Sequence, residues 1–168
     1  MESPMKQSRL TMRRSDAGFT LVELAVVMII FGIVAAVGLP GLNKFLRSLD
    51  LNGEVQRTAS LLRVTRQRAV TENNDYRVYW DTAQQTFVWF DDDNNDGAKQ
   101  GTEKYGALGR YPSWITVTEV STNPFTADTV VFYPNGSTNT SGSLQYSNPD
   151  GYSRSLSVVR PTGMVTVQ

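Results

Sequence analysis

Apolar residues take three different spacings along this chain. From Phe19 to Leu39 they form a nearly unbroken run in which Glu23 is the only charge. About 20 helical residues cross a hydrocarbon core of about 30 Å, so the run predicts a membrane-length helix. From Leu42 onward the spacing changes to three- and four-residue steps: Leu42, Phe45, Leu46, Leu49, Val55, Ala59, Leu62, Ala69 and Val70. That period predicts an amphipathic helix ending near Glu72-Asn73-Asn74. Arg47, Arg57, Arg63, Arg66 and Arg68 fall off the apolar stripe, and those near the helix end are expected to complement its dipole. Gly32, Gly38, Gly41 and Gly53 weaken the helix backbone, and Pro40, which lacks an N–H, is expected to kink or break it.

Beyond Asn74 the spacing shortens to that of strands. Tyr76–Trp80 and Thr86–Phe90 flank Thr82-Ala83-Gln84-Gln85 and read as a hairpin rich in aromatic and β-branched residues. Further strands are predicted at Trp114–Val120, Thr129–Tyr133, Ser143–Tyr146, Ser155–Val159 and Met164–Val167. They are separated by the turns Pro134-Asn135-Gly136, Asn148-Pro149-Asp150-Gly151 and Pro161-Thr162-Gly163. One long N-terminal helix followed by serial antiparallel strands is an α+β fold, with the second half of the helix laid on the sheet.

Charge and composition narrow the chemistry. The 168 residues carry 16 basic and 16 acidic side chains, and contain no His and no Cys. A Ser-His-Asp triad, a thiolate nucleophile and a disulfide are therefore excluded, and no enzymatic role is expected. Lys6, Arg9, Arg13 and Arg14 precede the apolar run. Bases on that side hold it in the cytoplasm and place the rest of the chain outside. Without this leader the chain is slightly acidic, so nucleic acid is not an expected partner. A cleaved secretory signal is the competing reading of the N-terminus, with Ala35-Ala36-Val37-Gly38 as its cleavage site. The apolar run is longer than such signals need.

One loop has metal-ligating composition. Starting at Asp92, Asp91-Asp92-Asp93-Asn94-Asn95-Asp96-Gly97 and the residues after it fit D-x-[DN]-x-[DN]-G-x5-E. In a calcium loop Asp92, Asn94 and Asp96 supply side-chain oxygens, Ala98 a carbonyl and Glu103 a bidentate carboxylate. The same Asp, Asn and Gly residues are ordinary turn formers. A strand rather than a helix precedes the loop, and Lys99 stands where an apolar residue is usual.

The junction Gly18-Phe19-Thr20-Leu21-Val22-Glu23, after a basic leader and opening an apolar run, resembles the type IV prepilin signal. That resemblance implies cleavage between Gly18 and Phe19 by a prepilin peptidase, methylation of the new Phe19 amine, and retention of the apolar helix. It implies that Glu23, costly in lipid when unpaired, pairs with the Phe19 amine of a neighbouring subunit during assembly. It also marks the Pro40 region as one that loses helicity in filaments.

Four later features are similar to the GspH/FimT group of minor pseudopilins and minor pilins. They are the segment Leu62-Arg63-Val64-Thr65-Arg66-Gln67-Arg68-Ala69, a hairpin running into an Asp-rich loop, the turn Phe132-Tyr133-Pro134-Asn135-Gly136, and a final strand after Gly163. The resemblance implies a pilin-like fold in four parts: leader 1–18, transmembrane and assembly helix 19–41, amphipathic helix 42–74, and periplasmic β-rich domain 75–168. It implies a minor pseudopilin of type II secretion, single-pass in the bacterial inner membrane. Such a subunit assembles through its helix with other pseudopilins, on an inner-membrane assembly platform, near a filament tip. The alternative is a FimT-like minor pilin for pilus assembly or DNA uptake. DNA-binding members carry a basic Gly-Arg-x-Arg motif near the C-terminus; this chain reads Gly163-Met164-Val165-Thr166 there.

Overall fold

The computed structural model describes residues 18–81, 83–120 and 129–168. The basic leader and Thr82 of the predicted hairpin turn lie outside the described residues. The chain divides into two compact units, Met1–Gly41 and Leu42–Gln168.

A single helix, α1, spans Leu21–Glu72. Thr20 opens it: its hydroxyl accepts the Glu23 N–H at 3.2 Å and its carbonyl accepts the Leu24 N–H at 3.1 Å. Asn73 closes it in the left-handed region at φ 53°, with the Asn74 N–H reaching back to the Ala69 carbonyl at 3.2 Å. This six-to-one bond is the Schellman closure of a helix, and Asn is the residue besides Gly that adopts the left-handed turn most readily. The break expected at Pro40 does not occur: the helix runs through it. A proline deletes one hydrogen bond, and the turns on either side keep theirs.

The predicted stripe holds only in part. Val55, Ala59, Leu62 and Ala69 are buried, joined by Leu51, Thr58 and Thr65. Leu42, Phe45, Leu46, Leu49 and Val70 are exposed.

Eight strands follow: β1 (Tyr76–Asp81), β2 (Thr86–Asp91), β3 (Tyr105–Ala107), β4 (Thr116–Glu119), β5 (Thr129–Phe132), β6 (Gly142–Ser147), β7 (Ser153–Val159) and β8 (Met164–Val167). They form two antiparallel sheets, ordered β3-β2-β1-β5 and β4-β6-β7-β8. The hairpin is as expected, with Trp80 opposite Phe87. Asp81 organises its turn by accepting the Ala83 and Gln84 N–H groups at 2.9 and 3.0 Å. Strand β3 was not predicted. Tyr76, Val78 and Phe87 of the first sheet and Leu144, Tyr146, Leu156, Val158 and Val165 of the second close on the buried residues of α1 as one core. Tyr111 and Ile115, on the connection between the sheets, complete it.

Candidate functional site

Gly18, Phe19 and Thr20 are exposed and lie outside the helix, which starts at Leu21. The scissile bond expected between Gly18 and Phe19 is therefore in non-helical backbone, the form a peptidase can enter. Thr20-Leu21-Val22-Glu23 has the S/T-x-x-E spacing of a capping box, of which the Thr20 hydroxyl to Glu23 N–H bond is one half. The spacing is readable in the sequence, but Thr20 was missed as a site residue. Glu23 in the first turn also complements the helix dipole. No residue from 18 to 47 is buried, and Val22, Leu24, Met28, Ile29, Phe31, Ile33, Val34 and Val37 are all at least 60% exposed. Helix α1 is long and apolar enough to cross a membrane.

Farther along α1, the arginines do not serve the helix dipole; the last turn holds no base. They clamp the sheets instead. At 100° per residue, Arg63 and Arg66 fall on one flank of the buried stripe, and Arg57 and Arg68 on the other. Arg63 donates to the Val165 carbonyl at 3.2 Å and Arg66 Nε to the Gly136 carbonyl at 2.9 Å. Arg57 donates to the Gly109 carbonyl at 2.5 Å and lies 5.1 Å from the Tyr111 ring centre. Arg68 stacks 4.2 Å over Trp89. Beside Arg57, the Thr58 hydroxyl hydrogen-bonds the Tyr111 hydroxyl inside the core.

Arg66 joins three segments far apart in sequence. Gly136 and Gly163 both have positive φ, 80° and 60°. A Cβ on Gly163 would sit 2.3 Å from the Gly136 carbonyl and 2.8 Å from Arg66 Nε. The helix segment Leu62–Ala69, the Pro134-Asn135-Gly136 turn and the Gly163 turn thus form one close-packed junction. Of the arginines near the C-terminus, Arg154 is engaged, donating to Asn52 Oδ1 at 3.0 Å.

In the acidic loop the residues expected as calcium ligands are hydrogen-bonded to one another, to the loop backbone and to Arg77. Asp92 is fully buried and bonded to the Arg77 guanidinium, and it also accepts the Gly97 N–H. Asp96 accepts the Ala98 N–H at 2.8 Å and the Gln100 amide at 2.6 Å, and Asn94 turns its own amide to Asp96 at 2.9 Å. These bonds hold the Asp96 carboxyl below its ordinary value. Glu103 closes its own turn by accepting the Gln100 N–H at 2.7 Å. Among the described residues no group of three or more acidic side chains is placed to hold a metal. The expected ligands Asp92, Asn94, Asp96, Ala98 and Glu103 form a hydrogen-bonded turn, whose cation is Arg77. Asn95 at φ 58° and Gly97 at φ 80° give it the left-handed positions such turns use.

Comparison with known proteins finds matches in two stretches of the chain. Residues 54–163 match the family model "Type II transport protein GspH", and residues 13–39 match "Prokaryotic N-terminal methylation motif". Type II secretion system protein H of Pseudomonas aeruginosa is 35% identical over 63 residues, which are 38% of this chain and 37% of that protein. Among solved structures, the minor pseudopilin EpsH of Vibrio cholerae aligns with TM-score 0.52 at 12% identity, over 71% of this chain and 96% of that one. The type IV minor pilin FimU of P. aeruginosa aligns with TM-score 0.54 at 16% identity, over 74% and 92%. At such identities these two likenesses establish the fold.

Proposed function

Because this chain belongs to the GspH family of type II transport proteins, we propose that it is a minor pseudopilin of a type II secretion pseudopilus. In this reading residues 1–18 are a leader removed by a prepilin peptidase, and Phe19 becomes the methylated N-terminus. Residues 19–41 anchor the subunit in the inner membrane and later pack in the filament. Residues 42–74 carry the helix into a periplasmic domain completed by residues 75–168. The chain does no chemistry; it assembles with other pseudopilins on the membrane platform.

The observation that carries the reading is the unburied apolar circumference of the first half of α1, opened by a capped, accessible junction with Glu23 in its first turn. Such a surface needs lipid or neighbouring helices around it. A carboxylate there needs a cation, and the Phe19 amine of a neighbour is the one cleavage creates.

Glu23→Val tests this. Processing should continue, while cross-links between the helix and adjacent subunits in the membrane should fall sharply. Unchanged cross-linking would remove the pairing from the account.

A further inference from the structure

Sheet edges present unpaired N–H and C=O groups, and folded proteins usually close them. The β5 edge of the first sheet is closed. Val131 donates to the Asn139 side chain at 2.9 Å, and its carbonyl accepts the Asn139 N–H at 3.1 Å. On the β8 edge of the second sheet, Arg63 takes the Val165 carbonyl.

The β3 edge differs. Trp89 stands opposite Gly106, the Asp91 N–H bonds the Lys104 carbonyl at 3.0 Å, and the Leu108 N–H bonds the Phe87 carbonyl at 3.0 Å. In an antiparallel ladder this alternation turns the backbone groups of Gly106 toward β2 and those of Tyr105 and Ala107 away from it. Both residues are exposed, Tyr105 by 60%. Gly106 keeps one face of this edge bare, because a Cβ there would lie 2.7 Å from the Trp89 indole nitrogen. An added strand would therefore meet the half-buried Trp89 directly.

Both faces beside the edge carry a cation held on an aromatic ring. Arg68 lies 4.2 Å over Trp89 on the Gly106 face, and Lys99 lies 3.6 Å over Tyr105. Neither forms an ion pair among the described residues. Lys104, by contrast, is already paired with Glu72.

We propose that the open edge of β3 is an interaction surface that takes an extended, acidic segment of another protein as a fifth strand of the first sheet. The Tyr105 and Ala107 backbone supplies the ladder, Trp89 and Tyr105 the aromatic contacts, and Lys99 and Arg68 the preference for carboxylates on either face.

The test uses the full chain in detergent and two synthetic extended peptides, one alternating Glu and Val, the other Lys and Val. The acidic peptide should bind and slow amide exchange at Tyr105 and Ala107; the basic one should not. Ala107→Pro removes an outward N–H that no bond among the described residues uses, and should weaken binding about fivefold or more. Ala107→Thr keeps that N–H and should bind as the unaltered chain does. Lys99→Glu should weaken the acidic peptide and serves alone if the proline variant fails to fold. Equal binding of both peptides, unchanged exchange at Tyr105 and Ala107, insensitivity to both Ala107→Pro and Lys99→Glu, or dimerisation of the chain through β3 would each overturn the proposal.

Discussion

The two halves of α1 contain similar apolar side chains and meet opposite fates. Between Leu21 and Leu39 they surround the helix, between Leu42 and Leu49 they keep to one face, and none of them is buried. Between Leu51 and Ala69 the stripe of Leu51, Val55, Ala59, Leu62 and Ala69 lies in the core at 0–2% exposure, while Val64 stays outside it. The difference lies in where the polar residues stand. A stripe flanked by arginines and threonines faces one way, and the sheets can close on it while the flanks bond to carbonyls and rings. An apolar circumference offers no polar side to water, so only surroundings that are apolar on every side satisfy it. One helix thus carries an inward interface made by its own chain and an outward apolar surface that the rest of the described chain leaves uncovered.

Substitutions in the two halves should separate these interfaces. Stability is read from thermal unfolding of the full chain in detergent through Trp80, Trp89 and Trp114, all of which lie in the Leu42–Gln168 unit. The largest effect is expected at Gly163→Val, where positive φ and the Gly136 carbonyl both exclude a side chain. The loss should be about 3–5 kcal/mol. Gly32→Val, with nothing near its Cβ position, should leave the transition where it was. Next comes Leu62→Ala, at about 2–5 kcal/mol for an emptied core position. Leu46→Ala should cost about 0.5 kcal/mol or less in the same melt, yet reduce cross-linking to neighbouring subunits. Equal losses at Leu62 and Leu46 would erase the distinction between the two halves.

The smallest effects belong to the acidic loop. Burial, with Asp93 beside it, raises the Asp91 carboxyl above its ordinary value. The folded chain then holds that proton to higher pH than the unfolded chain does. The penalty for charging Asp91 is absent below the ordinary carboxylate range and grows as pH rises through the raised value. Asp91→Asn should therefore melt like the unaltered chain in acid and somewhat higher at neutral pH. Calcium and chelator should give the same melting temperature, because Arg77 already neutralises Asp92.

Much of this architecture is legible from residue spacing. The helix end at Asn73, the hairpin, and the turns at Gly136, Gly151 and Gly163 follow from local preferences that the fold leaves in place. Strand β3 was not legible: Tyr105-Gly106-Ala107 is too short to show a period and is a strand only because β2 lies beside it. The division into two sheets depends on which strands pair across long connections, and spacing along the chain carries no record of that. The arginines were misread for a related reason. Their carbonyl partners at Gly109, Gly136 and Val165 are 52 to 102 residues away. In the acidic loop the pattern showed the acidic residues but not Arg77, fifteen residues before Asp92, as the partner of that carboxylate. At the N-terminus the helix start follows from the Thr20-to-Glu23 capping spacing, which the chain carries in plain view.

The central claim is that the apolar helix stays on the mature chain after cleavage at an exposed junction. Mass spectrometry of the N-terminal peptide from the membrane-extracted protein tests it most directly. The account predicts a peptide beginning at N-methylated Phe19, and loss of that peptide in Gly18→Val. A mature N-terminus beyond Val37 would contradict it, since the helix would then have been discarded as a secretory signal.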